Sequence, residues 1–273
     1  MSTQRPALKF PLRLDRLSSA MALSTHVPAR PLLRPQALLQ HAAVEAARRI
    51  VPSGVGLDSA DVRRRMVERL KLTGLRDEAV LGAMAAVPRH QFVDTALVNQ
   101  AYEDTSLPIG HGQTISKPSI VARMIELLRG GAAALTTGSL GHVLEVGTGC
   151  GYQTAILARL SRQVFSVERV RPLYDKARQN LAELRDAQIR LVYGDGTLGH
   201  APNAPYASII VSAGGDVIAQ AWLDQLAPGG RLVAPVRAAD NRQTLMVVDK
   251  TAGGFRHTNF ERVYFVPLRS GLA

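Results

Sequence analysis

Four groups of residues in this chain have types and spacings that could do chemistry. The first is Glu145-Val146-Gly147-Thr148-Gly149-Cys150-Gly151, an acid followed by glycines at every second position. The apolar residues of Val143–Val146 read as a short buried strand, and Gln153 to Leu160 as a helix. A glycine loop between them lets the backbone turn sharply and lie against a ligand. That makes it the nucleotide-binding corner of a doubly wound α/β sheet. The second group is Glu168, 21 positions after Gly147 at the end of a strand Val164–Glu168. A carboxylate there can accept from both hydroxyls of a ribose. The third is Asp195, between Gly194 and Gly196 where a strand Ile189–Tyr193 closes. It could accept from an adenine amino group or simply form an Asx turn. The fourth is the run Leu107-Pro108-Ile109-Gly110-His111-Gly112-Gln113-Thr114-Ile115-Ser116-Lys117-Pro118. It reads as an ordered functional loop leading into a helix, Ser119 to Leu128, that Ser116 is placed to cap.

Composition narrows the classes. The single cysteine, Cys150, excludes an internal disulfide and a multi-cysteine metal site, and suits a reducing cytoplasm. Inside the glycine loop it reads as a small filler rather than a nucleophile. The seven histidines are scattered; His90 and His111 read as loop or surface residues, and no spacing suggests a metal. No apolar run approaches the ~18 residues needed to span a membrane. The net charge is +11, of which residues 1–56 carry +6 and the other 217 residues +5. A basic body can attract nucleic acid, but 5% aromatic content without basic–aromatic interleaving offers little of a stacking platform.

The elements that must position these groups follow in order. Residues 1–56, with prolines at 6, 11, 28, 31, 35 and 52, read as a mostly disordered basic extension. Their Arg-rich, acid-poor composition fits a transit peptide, and a misassigned start codon or a species-specific tail at least as well. From Asp58 or Ser59 as a cap, a helix runs through Leu72; a second spans Arg76 to Val87 and stops before Pro88. After the Ser116 loop and its helix, residues 130–142 read as a thin Gly/Ala/Thr linker. Beyond the first three strands come a helix Pro172–Leu184, a buried strand Ala207–Ser212, a helix Val217–Leu226 and a strand Arg231–Val236. Gln243–Asp249 and Glu261–Pro267 alternate like a closing pair of strands. The expectation is a doubly wound, mostly parallel, seven-stranded Rossmann-like sheet with an N-terminal helical subregion. Its domain spans 57–273, with helices and loop over 57–130 and the cofactor-binding sheet over 141–273.

The glycine spacing, G-x-G-x-G with an acid two residues before it, is one residue short of the dinucleotide fingerprint G-x-G-x-x-G. It resembles the first motif of S-adenosylmethionine (AdoMet)-dependent methyltransferases. Over roughly residues 60–270 the chain looks like the protein-L-isoaspartate O-methyltransferase family. The likeness is carried by Val87-Pro88-Arg89 with Phe92, Leu107-Pro108-Ile109-Gly110 through Gln113-Thr114-Ile115-Ser116, Glu145 through Tyr152, Gly194-Asp195-Gly196, and Phe265-Val266-Pro267-Leu268.

The resemblance implies methyl transfer from AdoMet to the α-carboxylate of L-isoaspartyl residues in damaged proteins and peptides. The ester then closes to a succinimide that starts repair, and S-adenosyl-L-homocysteine (AdoHcy) is the other product. It implies that Thr114-Ile115-Ser116 lines the reaction centre with Ser116 as the active-site residue. Glu145, Gly147, Gly149 and Gly151 would border the methionine part of the cofactor, Glu168 the ribose, Asp195 and Gly196 the adenine, and Gln243 a polar contact nearby. No metal is implied, and a cytoplasmic monomer without membrane or nucleic-acid partners is expected. The chain departs from the family pattern at Cys150 (usually serine), at Ser212-Ala213-Gly214-Gly215 (a Thr-Ala-Ala type run) and at Arg237 (usually glycine). Two other readings stand beside this one: a methyltransferase acting on RNA or a small molecule, and a non-catalytic adaptor with the same fold. Ser212–Gly215, where base-nitrogen methyltransferases tend to carry an Asn/Asp-Pro-Pro-aromatic motif, argues against the first; the intact loop ending in Ser116 argues against the second.

Overall fold

Short aliphatic runs bounded by glycines form strands, and the central ones are buried on both faces, as parallel strands sandwiched between helices must be. The computed structural model describes residues 60–182, 184, 188–238 and 240–273, all within the unit Pro52–Ala273. The extension expected over 1–56 and the cap at Asp58 or Ser59 lie outside the described residues. The elements are α1 (Ala60–Leu72), α2 (Glu78–Ala86), β1 (Leu107–Gly110), β2 (Gln113–Ile115), α3 (Pro118–Arg129), α4 (Ala132–Thr137), β3 (His142–Val146) and α5 (Tyr152–Ala158). They continue with β4 (Gln163–Glu168), α6 (Arg171–Ala182), β5 (Ile189–Tyr193), β6 (Tyr206–Val211), α7 (Gln220–Gln225), β7 (Leu226–Arg237), β8 (Gln243–Thr251) and β9 (Gly254–Val263).

Strands β3 to β9 form one seven-stranded sheet in the order β5-β4-β3-β6-β7-β8-β9. Pairing is parallel from β5 across to β7, and antiparallel for β7–β8 and β8–β9. The doubly wound α/β fold read from the sequence is therefore the fold observed. Alternation along the strands divides the core in two. Val143, Val164 and Ile210 point to one face, with α1, α2, α3, α5 and α6. Leu144, Phe165, Ile209 and Val211 point to the other, where Trp222 of α7 is 1% exposed. Chain order reverses between β3 and β6, so their carboxyl ends flank the crevice where such sheets hold ligands.

Several boundaries differ from expectation for identifiable reasons. Helix α2 starts at Glu78 because Asp77 caps it, accepting from the Ala79 and Val80 amides at 3.0 and 3.1 Å. The Gly/Ala/Thr linker contains α4, closed by Gly138 at φ 70°. The last strand is Gly254–Val263 rather than Glu261–Pro267. It is an exposed edge strand with little apolar alternation to reveal it, whereas Phe265–Leu268 returns to the crevice. Ser116 does not cap α3. Asp104, fifteen residues before Ser119, accepts from the Ser119 amide and hydroxyl at 2.8 Å each.

Candidate active site

The glycine loop leaves β3 with Gly147 at φ 93° and Gly149 at φ 58°, conformations that side-chain-bearing residues rarely adopt. A Cβ on Gly149 would lie 3.2 Å from Ile109 Cδ1, so the bare backbone also lets the β1–β2 hairpin close onto the loop. Gly151 heads α5, with Leu181 packed where its side chain would be. The neighbouring strand ends are tied to this loop. The Gly147 amide donates to Val167 O at 2.9 Å, the Ser212 amide to Val146 O at 2.8 Å, and the Gly149 amide to Glu168 Oε2 at 2.9 Å. Between them opens a cavity of about 910 Å³ counting its mouth, at the β3/β6 reversal.

Of the residues singled out from the sequence, Thr114, Ile115, Ser116, Gly147, Gly149, Glu168 and Gly196 line this cavity; Glu145, Gly151, Asp195 and Gln243 do not. Glu145 is fully buried beneath it. Its carboxylate accepts from Thr154 Oγ1, from Ser166 Oγ at 2.7 Å and from Gln153 Nε2 at 3.0 Å. Burial pushes its pKa up to about 7 against the pull of these donors. Gln153 Nε2 also donates to Ser212 Oγ at 2.8 Å, and both residues line the cavity. Glu145 therefore reaches the site through Gln153, and through Ser166, whose hydroxyl lies 2.6 Å from Thr148 Oγ1 in the cavity wall. Sequence reasoning missed Gln153, although a polar pair, Gln153-Thr154, opening an otherwise apolar helix was a readable signal.

Glu168 is 5% exposed and accepts from the Gly149 and Val170 amides at 2.9 Å each, which fixes its carboxylate at the end of β4. Asp195 does form the Asx contact, accepting from the Thr197 amide at 2.9 Å and hydroxyl at 2.7 Å. Its other oxygen accepts from the Gly271 amide. Burial raises its pKa, but these hydrogen bonds outweigh burial and hold it below the ordinary carboxylate range. Gly196 packs so closely on Val146 that an added Cβ would lie 2.5 Å from Val146 Cγ1.

The C-terminal segment crosses the carboxyl ends of the strands, an arrangement with no local sequence signal. Leu268 N donates to Gly214 O at 2.8 Å, Arg169 Nε to Gly271 O at 2.8 Å, and Arg171 N to Ala273 O at 2.7 Å. Val266 through Arg269 thereby become cavity wall. Gln243 clamps this segment by accepting from the Phe265 amide at 2.7 Å and donating to its carbonyl at 3.2 Å.

Opposite the glycine loop stands the β1–β2 hairpin, turning through His111 at φ 55° and Gly112 at φ 67°. It delivers Ser116 half-buried to the cavity, its hydroxyl bonded to no described residue because Asp104 has taken over the cap. Arg89 lies behind it, 0% exposed, with Nη2 donating to Ser116 O at 2.8 Å and its guanidinium 4.8 Å from the Tyr152 ring centre. Burial pulls the Arg89 pKa down. The Cys150 thiol is buried and its pKa pushed up by that burial, so it is a filler and not a thiolate. Among the described residues no group of three His, Cys, Asp or Glu could hold a metal ion. The cavity thus offers a free hydroxyl, a carboxylate at a strand end, bare glycine backbone and a buried cation close by, a set suited to binding and aligning two reactants.

Comparison with known proteins agrees with this geometry. The sequence model for protein-L-isoaspartate(D-aspartate) O-methyltransferase (PCMT) matches residues 61–273. The protein-L-isoaspartate O-methyltransferase of Methylibium petroleiphilum is 60% identical over 270 residues, 98% of either chain. That of Leptothrix cholodnii is 54% identical over 287 residues, covering 99% of this chain and 98% of its own. Among solved structures, a protein-L-isoaspartate O-methyltransferase superposes with a TM-score of 0.68 at 27% identity, covering 77% of this chain and 67% of that one. A Plasmodium falciparum chain assigned to the same activity, in complex with AdoHcy, superposes with a TM-score of 0.63 at 25% identity over 76% and 98%.

Proposed function

This chain belongs to the protein-L-isoaspartate(D-aspartate) O-methyltransferase family, and from that premise we propose how its residues share the work. The reaction is AdoMet-dependent methylation of the α-carboxylate of L-isoaspartyl residues in proteins and peptides. The cavity fits the cosubstrate by its place, at the carboxyl ends of β3 and β6 where the chain order reverses. Glu168 presents carboxylate oxygens at the end of β4, and Gly147 and Gly149 leave the loop backbone bare. When bound, AdoMet supplies an electrophilic methyl group on a sulfonium.

The rest is done by the chain. An isoaspartyl carboxylate is already ionised near pH 7, so no general base is required. Ser116, with its hydroxyl uncommitted, donates a hydrogen bond that orients the carboxylate oxygen; it is not a nucleophile. Arg89 fixes the Ser116 backbone from behind. Thr114 and Ile115 form the wall on that side. Gly147, Gly149 and Gly151 shape the loop, with Glu145 steadying Gln153 beneath it. Glu168 accepts from the ribose, Gly196 faces the adenine end with Asp195 fixing its turn from behind, and Gln243 acts by clamping the C-terminal segment that excludes water. Alignment and water exclusion of this kind can be worth ~7–11 kcal/mol. The ester is expected to close to a succinimide without further help from the enzyme.

The single observation that carries this reading is that β1–β2 brings the free Ser116 hydroxyl to the cavity bordered by Gly147 and Glu168. We also place the protein in the cytoplasm as a monomer engaging protein and peptide substrates. The single cysteine, buried and unpaired, supports the cytoplasmic part of this reading. The test is incubation of aged, isoaspartyl-rich protein with methyl-labelled AdoMet. Base-labile label must accumulate on the aged sample and not on the fresh one.

A further inference from the structure

Beside the cofactor cavity lies a second, of about 740 Å³ counting its mouth, which shares Thr114, Ser116, Ser212 and Val266 with the first. The two therefore meet at the hydroxyl that aligns the isoaspartyl carboxylate. Among the described residues its only charged lining side chains are Lys117 and Arg262, and no acid lines it. Neither cation is firmly committed. Lys117 Nζ is 3.8 Å from Asp104, whose oxygens already serve Ser119. Arg262 Nη2 is 3.3 Å from Asp240, with side chains 62% and 46% exposed, and exposed pairs of this sort hold weakly. Tyr264, 93% exposed, stands at the rim with its ring uncovered.

We propose that this second cavity receives the residue flanking the isoaspartyl unit and selects an acidic side chain there. The inference rests on the isoaspartyl reading above. With the carboxylate at Ser116, the chain beside it leaves through this adjoining cavity, which Ser116 also borders. An Asp or Glu side chain there meets two cations and no acid, whereas a Lys meets like charge. The uncovered Tyr264 ring offers the peptide a flat, rigid contact surface.

The test uses isoaspartyl peptides identical except for Glu, Gln or Lys placed one or two residues to either side. With the full-length protein at low salt, kcat/KM at one flank is expected to fall in the order Glu, Gln, Lys over about tenfold, and the spread should shrink at high salt. In Lys117→Gln/Arg262→Gln the Glu-to-Lys ratio at that flank should collapse to about twofold. In Arg178→Gln, which removes an exposed cation from α6, it should persist. The ratio is readable whatever the absolute rate of each variant. A wild-type spread absent at every flank, a ratio unchanged in the double variant, or an equal collapse in Arg178→Gln overturns the proposal. Failure to methylate any of the peptides overturns the isoaspartyl reading beneath it.

Discussion

Arg89 lies directly behind Ser116, its Nη2 donating to the Ser116 carbonyl at 2.8 Å from a side chain that is 0% exposed. Among the described residues its Nε and Nη1 have no acceptor and no carboxylate forms an ion pair with it. A buried guanidinium with no counter-charge lowers stability. That cost is understandable if the cation holds the active-site loop and its field reaches an anion arriving at Ser116.

Arg89→Met is therefore expected to separate stability from function. Losing the unpaired charge offsets leaving the Ser116 carbonyl unsatisfied, so urea unfolding should change by no more than about 2 kcal/mol. The KM for an isoaspartyl peptide should rise about tenfold or more while AdoHcy affinity stays within about twofold. A folded variant with an unchanged peptide KM would remove Arg89 from this role.

Ser116→Ala should lower kcat/KM by about 10- to 150-fold, the equivalent of a charge-assisted hydrogen bond of about 1.5–3 kcal/mol. Calorimetric AdoHcy affinity should be unchanged. Because Asp104 caps α3, Ser116→Ala should not alter the unfolding midpoint, whereas Asp104→Ala should cost about 1 kcal/mol. The reverse pattern of stabilities would return Ser116 to a capping role.

Gly196→Ala places a methyl 2.5 Å from Val146 Cγ1, a contact that must be relieved by shifting the Val146 side chain or the backbone after β5. Overpacking of that kind costs about 1–3 kcal/mol. AdoHcy affinity should fall in the same variant, with the peptide KM less affected. Wild-type AdoHcy affinity in Gly196→Ala would show that this turn does not face the cofactor.

How far the site could be read from the sequence follows from how local its parts are. The glycine loop and Glu168 lie within or just after single elements, so spacing alone located them, whereas the family resemblance pointed to the Thr114–Ser116 stretch. Asp104 as the cap of α3, Arg89 behind Ser116 and Gly271 on Asp195 join residues 15, 27 and 76 positions apart. No periodicity encodes such pairings; only the folded topology creates them. Glu145 shows the limit of a motif: its position was readable, but not that its carboxylate turns inward to Thr154, Ser166 and Gln153.

Glu145 also sets a pH dependence. Its folded pKa is raised from 4.5 to about 7, with burial as the main cause. The folded state therefore holds a proton that the unfolded chain releases, and stability falls as pH rises from about 4.5 to 7, by up to about 3 kcal/mol. In Glu145→Gln that component of the slope should vanish in urea titrations between pH 5 and 8. An equal slope in both proteins would place the Glu145 pKa near its ordinary value.

The most direct measurement is kcat/KM for two peptides of one sequence, one with L-isoaspartate and one with L-aspartate at the same position, using methyl-labelled AdoMet and the full-length protein. The expected result is a base-labile ester on the isoaspartyl peptide at a rate at least about a hundredfold above its aspartyl twin, as misplacing the carboxylate by one backbone atom should cost. Equal rates for the two peptides, or AdoHcy binding with transfer to neither, would contradict it.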